Sequence, residues 1–151
     1  MLEAHAKIWT AALRSGKYKQ GIGFLTLEFV KGPDVIVEYC CLGVACAIAD
    51  QFGISLDSYV TKYSSVVAPA ASAAAFGSAV VVHARRTIYG RQRAGDVLPK
   101  EMLSIIKTPI GEFTIYDVDG ESESFSLVNL NDSDFTFNQI ADVIDYFYED
   151  L

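Results

Sequence analysis

The sequence predicts one compact α+β domain with about four helices and antiparallel hairpins. Three observations predict it. Apolar stripes at helical spacing occur near both ends and in the middle. Two pairs of β-branched and aromatic runs flank clusters of turn residues. Helices and hairpins follow one another in groups, without the strict strand–helix alternation of a parallel sheet. The chain has 151 residues, of which 51% are hydrophobic and 12% aromatic, enough apolar surface for one core but not for two ordinary domains.

The elements follow in order. Residues 2–15, LEAHAKIWTAALRS, put Ile8, Trp9, Ala12 and Leu13 on one face, and Gly16 ends the helix. KYKQGIGFLTLEFVKGPDVIVEY then reads as a hairpin about Gly32, Pro33 and Asp34. A second helix runs from Cys40 to Phe52 with its stripe on Cys41, Val44 or Ala45, Ile48 and Phe52, and Gly53 closes it. LPKEMLSIIK predicts a short helix with Pro99 in its first turn.

FTIYDVDGESESFSLVNL predicts a second hairpin around Asp119 and Gly120. LNDSDF reads as a turn in which Asn131 and Asp132 could face a ligand. Thr136 and Gln139 form a capping box, Phe135 and Ile140 a hydrophobic staple, and the helix over 137–149 buries Phe137, Ile140, Ile144 and Phe147.

Residues 64–82, SSVVAPAASAAAFGSAVVV, carry no charge. Pro69, Gly77, four serines and alanine in place of leucine make them a poor membrane span. A small-residue loop leading into a buried strand, SAVVVHA, is expected instead, and with it no membrane partner.

Charge is uneven. The net charge is −7, which disfavours binding of bulk nucleic acid. From Thr108 to Leu151 there are eleven acids and no lysine or arginine, whereas 83–107 form a basic segment with Arg85, Arg86, Arg91, Arg93, Lys100 and Lys107.

Three cysteines and no secretory leader suggest reduced thiols. Cys40 and Cys41 stand where a helix begins, and the partial positive charge there would favour a thiolate. Against that, Cys41 and Cys46 interleave with Leu42, Val44, Ala45 and Ile48, and the only histidines, His5 and His83, offer no matched base. Packing is the expectation, with Gly43 and Ala45 allowing close approach. No metal site and no cofactor are expected: the cysteine and histidine spacings fit no zinc site, and DVDGESES has its glycine misplaced for a calcium loop.

Two segments are candidate ligand sites. In SGKYKQGIGF, Lys17, Lys19 and Gln20 supply cations and an amide, Tyr18 a stacking face, and Gly21 and Gly23 close backbone approach. A polar loop after a helix end is the alternative; the glycine spacing excludes a P-loop. In HARRTIYGRQRAG, the forks of Arg85, Arg86, Arg91 and Arg93 could grip phosphate while Tyr89 stacks on a base. Pairing of these arginines with the acidic tail is the alternative.

The motifs W-x-x-A-L-R-S-G-K-Y-K-Q-G-x-G at Trp9–Gly23, Y-C-C-L-G-V-x-C at Tyr39–Cys46, and L-N-D with F-x-x-I-A-D-x-I between Leu130 and Ile144 resemble a small uncharacterised family of bacteriophage and prophage proteins. The resemblance implies a phage accessory protein acting in the host cytoplasm; residues 55–95 lie outside it. The expected function is anti-defence binding and sequestration of a small anionic, nucleotide-like ligand without catalysis. A homodimer could appose the basic segment and the acidic tail. Two alternatives stand beside it: an acidic inhibitor or DNA mimic binding a host protein, and a cysteine-dependent hydrolase or transferase.

Overall fold

The computed structural model describes residues 1–31, 33–67, 81–89, 98–116 and 118–151, with Val30, Lys31, Asp34, 59–67 and 81–89 described as backbone alone. Helix α1, Glu3–Arg14, buries Ala6, Trp9, Thr10 and Leu13, with Glu3 in its first turn and Arg14 in its last, both favourable toward the helix dipole. Its apolar stripe packs along α4, Phe137–Phe147, which buries Phe137, Ile140, Ala141 and Ile144. The capping box predicted at Thr136 is present in both directions, with the threonine hydroxyl accepting from Gln139 N–H and the glutamine side chain accepting from Thr136 N–H. On the rim, Arg14 forks between Asp142 at 2.5 Å and Asp145 at 2.7 Å. These groups are well solvated, so the pairs contribute at most about 1 kcal/mol each.

The predicted first hairpin is β2, Thr26–Lys31, paired with β3, Asp34–Tyr39, in antiparallel register from Thr26↔Tyr39 to Lys31↔Asp34. Its first arm is shorter than expected. Lys19–Gln20 form a separate strand, β1, parallel to the end of β3. That pairing needs glycine at 21, because a Cβ there would lie 2.7 Å from the Cβ of Glu38.

Two further strands, β4 at Ser58–Val67 and β5 at Val81–Tyr89, extend the sheet in the order β1-β3-β2-β5-β4. The expected buried strand thus reaches Tyr89 and carries Arg85, Arg86 and Tyr89 on its backbone. Residues 64–67, expected in a loop, instead continue β4, because they find antiparallel partners in residues 81–84. The remaining small-residue positions, 68–80, lie outside the described residues.

Helix α2, Cys41–Ala47, buries six of its seven residues, and a 3-10 turn, Ala49–Phe52, carries the chain to Gly53 at φ +75°. Such an all-round apolar helix belongs inside a core, and the core gathers around it: Trp9, Leu42, Val44, Ile48, Met102, Ile106, Leu127, Ile140, Ile144 and Leu151 are all nearly or fully inaccessible. The predicted helix after Pro99 is a 3-10 segment, Lys100–Ser104, that delivers Met102 to this core.

The second hairpin, β6 at Glu112–Tyr116 and β7 at Ser122–Ser126, turns where predicted. It stops short of the predicted end. Leu127–Asp132 form a helix, α3, because the Ser126 hydroxyl accepts from Asn129 N–H and caps it. The expected turn is thereby delayed to Ser133 and Asp134, the latter at φ +64°.

Gly43 is the most closely approached of the described glycines: a Cβ there would fall 1.7 Å from the carbonyl oxygen of Leu25. Gly43→Ala is expected to cost at least about 2 kcal/mol, since backbone cannot yield as a side chain does. Urea unfolding measures it, and a change within about 0.5 kcal/mol would refute the packing argument.

Candidate functional site

The loop after α1 was expected to bring its glycines to a ligand. Most of it is bound to the protein itself. The Gln20 amide donates to the Phe135 carbonyl at 2.6 Å and to Asn131 Oδ1 at 3.4 Å, and its oxygen accepts from Phe137 N–H at 2.9 Å. Gly21 N–H donates to Tyr39 O at 2.8 Å, and Gly21 O accepts from Asn131 Nδ2 at 2.8 Å. Gly23, at φ +77°, donates to Asp132 Oδ1 at 3.2 Å. The glycines are needed there, but for contact with β3 and α3.

Asn131 is the centre of this arrangement and only 1% exposed. Its Oδ1 accepts from Cys41 N–H at 3.1 Å and from Gln20, while its Nδ2 donates to Gly21 O and, at 3.2 Å, to Asp132 Oδ1. A carboxamide has four such positions, and all are used. The expectation that Asn131 faces a ligand is corrected: α3 turns it inward.

Cys41 completes the hub. Its carbonyl accepts from Trp9 Nε1 at 3.0 Å and its thiol donates to the Leu127 carbonyl at 3.5 Å. Cys40 caps α2, its sulfur accepting from Gly43 N–H at 3.4 Å. All three thiols are free and buried. Burial outweighs the helix-terminal hydrogen bonds and pushes the Cys40 thiol up to about 11; it raises Cys41 and Cys46 as well. Neutral thiols of this kind are packing groups, as expected, and poor nucleophiles at pH 7. His5 stacks edge-on against Phe52, with ring centroids 5.5 Å apart.

What remains of the first candidate site is its outer part. Lys19 pairs at 2.9 Å with Glu38, a buried carboxylate. The Tyr18 ring is held edge-on by Tyr39, 5.1 Å away at 85°. Lys17 lies 5.3 Å from the Tyr18 ring centre and has no carboxylate partner among the described residues. Beside them an open groove of about 430 Å³ has Ile8, Ala11, Ala12 and Ile48 as an apolar floor and Lys7, Ser15, Lys17, Tyr18 and Gln51 around it.

Lys7 and Gln51 are absent from the sequence expectation. Lys7 stands one helical turn from Ala11, a spacing visible in the sequence, whereas Gln51 arrives only through the 3-10 turn. On the other flank of α1 a second groove of about 510 Å³ includes Glu3 and Asp145, which oppose an anion.

Among the described residues, the second candidate segment is placed by its backbone alone, on β5, across the sheet from the first. Lys19, Glu38, Leu27 and Arg86 occupy one row across β1, β3, β2 and β5, so three strand spacings, roughly 14 Å, separate Lys19 from Arg86. Arg85 stands in register with Glu28 on one side and Lys62 on the other, and Tyr89 with Ser58. Arg91 and Arg93 lie outside the described residues.

Among the described residues, no group of three or more His, Cys, Asp or Glu could hold a metal ion, and no helix is long and apolar enough to cross a membrane. Comparison of the chain with protein-family models, curated proteins and solved structures returned no match.

Asn131→Ala leaves Cys41 N–H and Gly21 O without their partner and is expected to cost about 2–4 kcal/mol. In a double-mutant cycle with Gln20→Ala, the coupling should reach about 0.5–2 kcal/mol; independent, additive losses would contradict a shared hub. The Cys40 thiol predicts a pH effect. Its folded value of about 11 exceeds the reference 9.0, so its contribution is complete below pH 9 and is lost as pH rises through 11. Urea midpoints of wild type should therefore fall more steeply above pH 9 than those of Cys40→Ser, with a difference on the order of 2 kcal/mol.

Proposed function

We propose that this chain is a non-catalytic binding module that sequesters a small anionic, nucleotide-like ligand, the role of a phage accessory protein acting against a host defence signal. The groove beside α1 carries the reading. Lys17 and Lys7 supply positive charge for a phosphate, Tyr18 an aromatic face, Gln51 and Ser15 polar ends for a ring edge, and the aliphatic floor shelters a planar group. Tyr39 restricts Tyr18 before binding, which lowers the entropy lost on association.

The charge on Lys7 is partly compensated by Glu3 at 2.6 Å, so Lys17 is the principal anchor. Burial of Cys40, Cys41 and Cys46 supports binding over thiol chemistry. A thermal-shift panel of mononucleotides and cyclic dinucleotides tests the reading. At free ligand about 100-fold above Kd, a true ligand stabilises the fold by about 2.7 kcal/mol. Lys17→Ala and Tyr18→Ala should each weaken binding about tenfold or more; Lys17→Ala should leave the unliganded midpoint unchanged, whereas Tyr18→Ala lowers it by the loss of the Tyr39 contact, so its affinity is measured below that midpoint. A nucleotide panel that leaves the midpoint unmoved, or binding unaffected by both variants, overturns it.

A further inference from the structure

Among the described residues, the hairpin β6–β7 forms a two-stranded sheet separate from the five-stranded one. Its base is anchored: Phe113 is buried, stacks on Phe125 at 5.9 Å and meets Phe147 at 4.8 Å. Its far end is different. Ile115 is 40% exposed, Tyr116 71% and Val118 101%, three large apolar side chains within four positions. A two-stranded ribbon is marginal in water and leaves each strand with an edge of peptide groups that a further strand can pair.

The hairpin itself is acidic. Glu112 and Glu123 are exposed on the hairpin, Ile115 faces Glu123 in register, and no lysine or arginine occurs from Thr108 to Leu151. A second copy of the hairpin would bring like charges together, so the complementary occupant is cationic. We propose that the outer edge of β6 is a docking strand for an extended, lysine- or arginine-bearing segment of a partner protein, which adds as a third strand and covers Ile115 and Tyr116. Backbone pairing would supply the affinity, and alternating cationic and apolar side chains the selectivity. This surface lies apart from the groove beside α1, whose lining residues all come from positions 7–18 and 48–51.

The test uses a short synthetic peptide alternating lysine and valine, the same peptide N-methylated at alternate residues, and a glutamate–valine counterpart, each titrated into the full chain by fluorescence anisotropy. The lysine peptide should bind, lose affinity as salt is raised, and bind about tenfold more weakly to Ile115→Ser/Tyr116→Ser. Circular dichroism and thermal midpoint establish that this variant is folded. The N-methylated and glutamate peptides should bind at least about tenfold more weakly than the lysine peptide. Failure of the lysine peptide to bind overturns the proposal. Equal binding of the N-methylated peptide excludes strand addition, and equal binding to the folded variant excludes this hairpin. Lys17→Ala leaves the peptide titration unchanged, which separates this outcome from that of the nucleotide screen.

Discussion

The carboxamide of Asn131 takes hydrogen bonds from, or gives them to, Gln20, Gly21, Cys41 and Asp132, and so joins the loop after α1, the start of α2 and the end of α3 at one buried point. Without it the fully buried Cys41 N–H would lose its partner, at about 1–3 kcal/mol, and the half-buried Gly21 carbonyl would lose its own. The network extends outward through Trp9 on the Cys41 carbonyl and through Gln20 on the first peptide of α4. Helix α1 is therefore held at its middle and α4 at its first residue by hydrogen bonds, and both are packed along their lengths by apolar side chains. The arrangement tolerates only one register.

The same network accounts for the motifs that stood out in the sequence. Trp9, the K-Q-G-x-G run, the paired cysteines and L-N-D share no local periodicity, yet they meet around Asn131 and Cys41. Glycine at 21 and 43 allows backbone to approach β3 and Leu25, and glycine at 23 supplies the positive φ that aims its N–H at Asp132. A cysteine at 41 fits because a small, weakly polar side chain is what the space between α2 and α3 admits, with a carbonyl to accept its S–H.

Local signals were legible and distant ones were not. The capping box at Thr136, the end of α1 at Gly16 and the turn about Asp119 and Gly120 depend on residues a few positions apart, and spacing reveals them. Strand β4 depends on partners in β5, and nothing within SYVTKYSSVV announces them. Helix α3 was obscured because FSLV continues the apolar run of β7, although Ser126 already carried the cap. Of the candidate site, Lys17 and Tyr18 could be read as a cation and a ring following a helix end. That Gln20 was already engaged could not, because its partners lie 111 to 117 positions away.

Those distances govern how the molecule comes together. Contacts between residue 20 and residues 131–137 close a loop that contains most of the chain, so the hub forms only after a long conformational search, and topology of this kind slows folding. Once closed, the loop is insensitive to its own length, since doubling it adds only about 0.6 kcal/mol of closure entropy. Closure entropy therefore sets little limit on how much chain lies between residues 20 and 131, whereas the residues that tie the two ends cannot be exchanged without opening the hub.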